Sequence, residues 1–221
     1  MRKIAVIRVN LGSFDNPFPF CLQSMDHALY EFTDMNFPPR HCSMTPRLQA
    51  RIPKMFAWQM APGYEFYLWV DSSYSLQHPD SIKWFYEQLL DADIALFQHP
   101  KRNSIREEAD HIKARLEAKC PYITPRYENE LVEEQLQEIY RDKKYVDDKL
   151  YASMAIVYRN TKEVQGMMKE WWYHTSRFHS VDQLALPYVI WKAGIKVNVI
   201  PCEKTRYETV MTPYMTKTRR F

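Results

Sequence analysis

Short apolar runs recur along the chain, each closed by a polar turn, and between them lie stretches whose apolar positions repeat at helical spacing. Lys3 to Asn10, KIAVIRVN, is a β-branched run that predicts a buried first strand. It ends in Asn10-Leu11-Gly12-Ser13-Phe14-Asp15, a tight turn suited to close approach of a ligand. Ala28 to Asp34 reads as a second strand ending in Thr33-Asp34, and Tyr64 to Leu76 drives an aromatic-rich strand into the turn Asp71-Ser72-Ser73. Asp93 to Gln98, Tyr151 to Tyr158 and Ile195 to Ile200 supply further strands.

Helical periodicity fills the intervals. Asp80 caps a helix over Ser81 to Leu90, with Ile82, Phe85, Leu89 and Leu90 on one face. Ser104 and Glu107 form a capping box that opens a charged helix to about Lys119, and Pro125 starts another to about Tyr140. Thr161 to Phe178 and Val181 to Ala193 follow as helices, the second closed by Gly194 and either kinked or divided at Pro187. The Pro-rich connection Asn36 to Pro46 reads as an ordered surface loop. Alternation of this kind predicts an α/β fold, a mostly parallel mixed sheet flanked by helices.

Composition narrows the function classes. The 221 residues suit one domain, and 46% hydrophobic with 14% aromatic residues belong to a folded chain. Thirty basic and 27 acidic side chains leave a net charge of only +3, so any anion binding rests on local clusters rather than on a nucleic-acid-binding field. The four cysteines (Cys21, Cys42, Cys120 and Cys202) form no C-x-x-C pair and are read as reduced. Only four glycines are present, with neither G-x-G-x-x-G nor G-x-x-x-x-G-K, which argues against P-loop NTPases, kinases and dinucleotide oxidoreductases. Met1-Arg2-Lys3 and the short run after it lack the features of a signal peptide, and no stretch reaches the ~20 apolar residues of a membrane span, so a cytoplasmic, soluble protein is expected. The tail from Pro201, with Lys204, Arg206, Lys217, Arg219 and Arg220, is basic and aperiodic.

Candidate chemistry lies at the strand ends. Asp71 stands at the carboxyl end of a strand, where ligands meet α/β sheets, and Arg47, Arg51 and Lys54 lie just ahead of that strand. Ser180 and Gln183 form a second capping box that places Asp182 in the first turn of its helix, where the dipole keeps a carboxylate ionised. An ionised Asp182 suits a general base or an anion facing an oxocarbenium-like centre; the plain alternative is a dipole-favoured surface residue. His99-Pro100-Lys101-Arg102 combines cations with the free donors of a helix start, so it reads either as a phosphate or acceptor loop or as a basic surface loop. His174 and His179 flank Arg177 and read as ordinary hydrogen-bonded residues or metal ligands. Trp171, Trp172 and Tyr173 are left unassigned between core and a sugar-stacking face.

The order Gly12-Ser13-Phe14-Asp15, Phe32-Thr33-Asp34, Arg47 to Lys54, Leu68-Trp69-Val70-Asp71, Asp93 to Phe97 with His99-Pro100 and Arg102, then Asp182-Gln183 resembles the GT-A-type glycosyltransferase-like family that includes plant mucilage and pectin proteins. The resemblance covers most of the chain. It implies a single GT-A-like (Rossmann-like) domain, with a nucleotide-sugar-binding half over residues 1–100 and an acceptor-side half and tail over 101–221. It also implies a donor-binding set of Asn10, Gly12, Thr33, Asp34, Arg47, Arg51, Lys54, Asp71, Ser72 and Ser73, and a catalytic role for Asp182 with Gln183. In such enzymes a D-x-D motif grips Mn²⁺ or Mg²⁺; here Asp71-Ser72-Ser73 has one carboxylate, and His179 is the candidate second metal ligand. The implied function is transfer of a sugar from a nucleoside diphosphate donor, UDP by family analogy, to a hydroxyl of a glycan or other acceptor. The alternatives are a noncatalytic nucleotide- or sugar-binding module and, because one plant member of the resembling family is described as a ceramidase, a hydrolase. The sequence carries neither the H-E-x-x-H nor the G-x-S-x-G motif of common hydrolases.

Overall fold

The computed structural model describes residues 3–13, 15–40, 42–204, 209–210 and 212–218; Met1, Arg2, Phe14, Arg206, Arg219 and Arg220 lie outside them. In chain order the elements are β1 (Ile4–Asn10), β2 (Ala28–Thr33), α1 (Pro46–Met55), α2 (Ala57–Met60), β3 (Phe66–Val70), β4 (Tyr74–Ser75), α3 (Ser81–Glu87) and β5 (Ile94–Gln98). There follow α4 (Ile105–Glu117), α5 (Thr124–Tyr127), α6 (Val132–Tyr140), β6 (Tyr151–Arg159), α7 (Lys162–Arg177), a 3-10 turn (Asp182–Leu184), α8 (Leu186–Lys192), β7 (Val197–Ile200), β8 (Glu203–Lys204), β9 (Thr209–Val210) and β10 (Thr216–Lys217).

Six strands form one sheet in the order β2-β1-β3-β6-β5-β7. β6 runs antiparallel to both its neighbours and the other pairs are parallel, so the expected mostly parallel mixed α/β sheet is what forms. Side chains alternate across it with period two. Ile4, Val6, Leu68 and Val70 face a layer built on Ile82 and Phe85 of α3 and on Leu89 in the turn after it. Ala5, Ile7, Val9, Tyr67 and Trp69 face the opposite layer, where α1, α4, α6, α7 and α8 pack. Both faces are therefore covered, as the β-branched, near-continuous apolar strands require. Because β6 is reversed, its first residues lie at the same end of the sheet as the carboxyl ends of β1, β3 and β5; the Asp71 N–H donates to the Met154 carbonyl at 2.8 Å.

Four local expectations change. Pro46 to Met55, read only as a basic segment, is a helix: the Thr45 hydroxyl accepts the Leu48 N–H and Pro46 occupies its first turn. The helix expected from Pro125 to Tyr140 is two, because Glu128 is extended and Asn129 turns left-handed at φ 65°. The Ser180–Gln183 box does not form. The Ser180 hydroxyl donates to Glu130 at 2.6 Å and its N–H to the same carboxylate at 2.8 Å, so Asp182 sits in a 3-10 turn and α8 begins afresh with Pro187 in its first turn. Asp80 does not cap α3; it accepts instead from the Ser24 hydroxyl, and the helix stops at Glu87. No helix among the described residues is long and apolar enough to cross a membrane.

Candidate active site

Two strand positions apart, Trp69 and Asp71 project to the same side of β3, and the Trp69 indole N–H donates to Asp71 Oδ1 at 2.8 Å. The helix α1 lies over this end of the sheet. Arg47, Arg51 and Lys54, spaced by four and three residues, fall on one of its faces. Lys54 Nζ donates to Asp182 Oδ2 at 2.7 Å and to the Ser153 carbonyl at 2.7 Å, while the Ser153 hydroxyl donates to Asp182 Oδ1 at 2.9 Å. Arg51 Nε approaches the same Asp182 Oδ2 to 3.3 Å. The Lys54 ammonium also faces the rings of Trp69 and Trp171, 5.1 and 5.3 Å from their centroids, and the Trp171 indole N–H holds the Asp182 carbonyl at 2.7 Å. Lys54 and Asp182 are each 2% exposed, so this is an ion network inside the core.

Burial alone would raise both carboxyls, but the two respond differently. At Asp182, Arg51 and Lys54 outweigh burial and hold the carboxyl below its ordinary range. At Asp71, burial prevails over Lys54 and Arg51 and the carboxyl is raised. Lys54 is lowered by burial, against the pull of Asp182. Asp182 is thus a fixed anion whatever its helix dipole, and Asp71 is the carboxyl nearer to exchanging a proton at neutral pH.

Two cavities meet here. One of about 410 Å³ lies beyond the carboxyl ends of β1 and β3, between α1 and α5, with Gly12, Asp15 and Arg47 on one side and Arg126 and Tyr127 on the other. The second, about 250 Å³, is walled by Tyr74, Ser153, Asp182, Gln183 and Lys217. Arg51, Asp71, Ser73 and Tyr122 line both, so they form the seam.

Most of the residues expected at a donor site gather at this cleft, some at one remove. The Asn10 side chain closes the loop by bonding both the carbonyl and the N–H of Asp15, at 2.9 and 3.2 Å, and the Ser72 hydroxyl donates to the Asp15 carboxylate. Gly12 sits at φ 72°, and a Cβ there would meet Pro46 Cβ at 3.2 Å, so any other residue at this wall of the cleft would be strained and would have to displace Pro46. Its N–H is held by both Asp34 oxygens at 3.0 and 3.1 Å. Thr33 and Asp34 line neither cavity; Asp34 shapes the turn that does. Arg47 also ties α1 to α5, donating to the Arg126 carbonyl and lying 4.3 Å from the Tyr127 ring centroid.

Other expected residues lie elsewhere. His99, Lys101 and Arg102 line neither cavity: His99 Nδ1 accepts the N–H groups of Lys101 and Arg102, and Arg102 pairs with Glu108 of α4. His179 lines neither cavity either. Its Nδ1 accepts the Val181 N–H at 3.1 Å, its ring stacks on Tyr127, and burial, reinforced by Arg47, lowers it to about 3. It therefore does not stand beside Asp71 as a second metal ligand. Among the described residues no group of three or more His, Cys, Asp or Glu side chains is gathered for a metal ion. Asp182 has its oxygens engaged by Lys54, Arg51 and Ser153, and Ser73 brings a hydroxyl where a D-x-D motif brings a carboxylate, so the donor set does not fit a divalent cation. Trp69, Tyr122, Tyr127, Ser153 and Lys217 fall outside the site expected from the sequence. Trp69 carries a local signal, the two-residue strand spacing from Asp71, whereas the other four come from elements that no local spacing links to it.

The family model of the TOD1/MUCI70 glycosyltransferase-like domain matches residues 41–212, in agreement with the resemblance read from the motifs. No curated protein sequence matches the chain. Among solved structures it is similar to the 4-diphosphocytidyl-2C-methyl-D-erythritol synthase of Anaerococcus prevotii, at 11% identity over 96% of this chain and 94% of that one, with a TM-score of 0.43.

Proposed function

We propose that this chain, which belongs to the TOD1/MUCI70 glycosyltransferase-like family, moves a sugar from a nucleoside diphosphate donor, UDP by analogy with GT-A-type enzymes, to a hydroxyl of a glycan or other acceptor. The observation that supports this reading is the pair of cavities joined at Asp71, Arg51, Ser73 and Tyr122. The larger takes the nucleotide, with Tyr122 offering an aromatic edge or face and the arginines facing phosphate, while Tyr127, covered by His179 and Arg47, backs the wall. The smaller, with Asp182, Gln183 and Tyr74, takes the acceptor. The anomeric carbon then lies at the seam.

In this arrangement the acceptor oxygen forms a bond to the anomeric carbon as the bond from that carbon to the diphosphate oxygen breaks. The hydroxyl proton passes to Asp71, whose raised carboxyl and place on both walls suit a general base. Arg51 meets the charge growing on the leaving diphosphate. Asp182, its oxygens engaged by Lys54, Arg51 and Ser153, holds the two cations in place behind the seam. Gln183 offers a neutral hydrogen-bonding group beside it.

Thermal-shift and calorimetric screening of nucleoside diphosphates, followed by nucleotide release from the corresponding sugar donors, tests the reading. The expected outcome is binding of one nucleoside diphosphate and a turnover that falls ~10²-fold in Asp71→Asn, the effect of losing a general base. Failure of every nucleoside diphosphate to bind ends the reading. Because Asp71 is the sole carboxylate of its turn, a noncatalytic module of the same fold is the second reading. Its mark is nucleotide binding with no release from any donor.

A further inference from the structure

The seam between the two cavities carries two carboxylates and two cations of the protein's own. Asp182 is closed to further ligands: Lys54 Nζ and Arg51 Nε share its Oδ2 at 2.7 and 3.3 Å, and the Ser153 hydroxyl holds Oδ1. Lys54 is itself enclosed between Trp69 and Trp171, so it neutralises Asp182 without reaching a ligand. Asp71 keeps one oxygen on the Trp69 indole, and its turn continues in Ser72 and Ser73 rather than in a second carboxylate. A divalent ion placed on Asp71 would face Arg51 and Lys54, both close enough to act on that carboxylate through their charge.

Arg51 stands differently. It lines both cavities, contacts Asp182 only as an ion pair through Nε, and makes no hydrogen bond among the described residues. Arg47, one turn earlier on the same face, also carries a buried Nε–H without an acceptor. A guanidinium fork matches phosphate geometry and supplies the charge that a cation would otherwise bring. Resting on the glycosyltransferase reading above, we infer that this site binds its diphosphate directly through Arg51 and Arg47, and that Arg51 stands in for the divalent cation of a D-x-D enzyme, while Lys54 neutralises Asp182 behind it.

Calorimetry of the wild-type protein with UDP and with inorganic pyrophosphate, in EDTA and in Mg²⁺ or Mn²⁺, is the test. The expected result is affinity in EDTA equal to that in metal within ~2-fold, because the charge is already in place. Arg51→Gln weakens both ligands by ~10-fold or more, as for loss of a charge-assisted pair, and Arg51→Lys recovers part of it. Asp71→Asn leaves affinity unchanged or raises it, since it removes a carboxylate that repels phosphate, whereas a metal-bridged site would lose binding. Circular dichroism checks that the variants fold, and the wild-type comparison needs none of them. Binding of either ligand only with metal, or its loss in a folded Asp71→Asn, overturns the inference while leaving the transferase reading in place. Metal-free pyrophosphate binding with no nucleoside diphosphate bound upholds the cradle and removes the donor assignment. Failure of both ligands under every condition removes both.

Discussion

Lys54 keeps a charge in a place where water cannot reach it, and its four contacts account for that. Moving an ammonium into the interior costs several kcal/mol, which the Asp182 carboxylate, the Ser153 carbonyl and two indole faces offset. Lys54→Met leaves the Asp182 carboxylate with Arg51 as its neighbouring cation and the Ser153 hydroxyl, and the expected loss is ~3–5 kcal/mol of unfolding free energy. Asp182→Leu strands Lys54 in the same way. The double variant removes both buried charges, so its loss falls well short of the sum of the two single losses. Urea unfolding of the four proteins measures the coupling, and simple additivity would mean that the pair does not interact. The sequence held half of this arrangement. Thr45-Pro46 followed by cations at 47, 51 and 54 is a helix start with one charged face, a local signal that the basic residues overshadow. The other half lies 128 positions along the chain, and no local rule joins the two. The Ser180–Gln183 spacing even misdirected the reading, because Glu130 takes both the hydroxyl and the N–H that a capping box needs.

Helix ends show where local signals suffice. α8 closes with Gly194 at φ 64°, its N–H on the Trp191 carbonyl and the Ile195 N–H on that of Ile190. α4 closes with the same pair of bonds, from Lys119 to Leu116 and from Cys120 to Arg115, but with a lysine at φ 48°. A left-handed residue with a Cβ costs ~1–2 kcal/mol that glycine does not. Lys119→Gly is therefore expected to stabilise the protein by ~0.5–1 kcal/mol, the gain trimmed by glycine's looser unfolded chain. Thermal and urea midpoints measure it, and a loss of stability would mean that the lysine side chain does more than occupy the turn. Nucleotide binding should not change, because the residue lies outside both cavities. Strands and capped helices were legible because their periods and end signals are local. The break between α5 and α6 was not: it rests on one left-handed Asn129 and on the Leu131 N–H meeting the Phe178 carbonyl across the fold.

At the scale of the whole molecule, the end of the chain returns to the middle of the site. β10 pairs antiparallel with β4, Thr216 opposite Ser75 and Lys217 opposite Tyr74, and the Thr218 N–H donates to the Ser73 carbonyl at 2.8 Å. Tyr214 stacks on Trp84 at 5.0 Å, the Ser81 hydroxyl donates to its carbonyl, and Met215 is 5% exposed in the core beneath. A two-residue strand has no period to read, which is why this tail looked aperiodic; the family match also stops at residue 212. Yet Lys217 walls the smaller cavity, and no described residue of the tail lines the larger one. The two cavities are thereby separable by experiment. A chain ending at residue 211 is expected to unfold at a lower temperature, because Trp84 and the core under Met215 become exposed. At a temperature where it remains folded it should bind UDP within ~2-fold of the full chain, while losing ~10-fold or more of sugar transfer to an acceptor, as expected when groups that position the reactant are removed. Calorimetry and nucleotide-release assays on the two chains measure both quantities. Loss of UDP binding in step with transfer would mean that the tail supports the fold as a whole; transfer kept at the full-chain level would remove the smaller cavity from the acceptor's path.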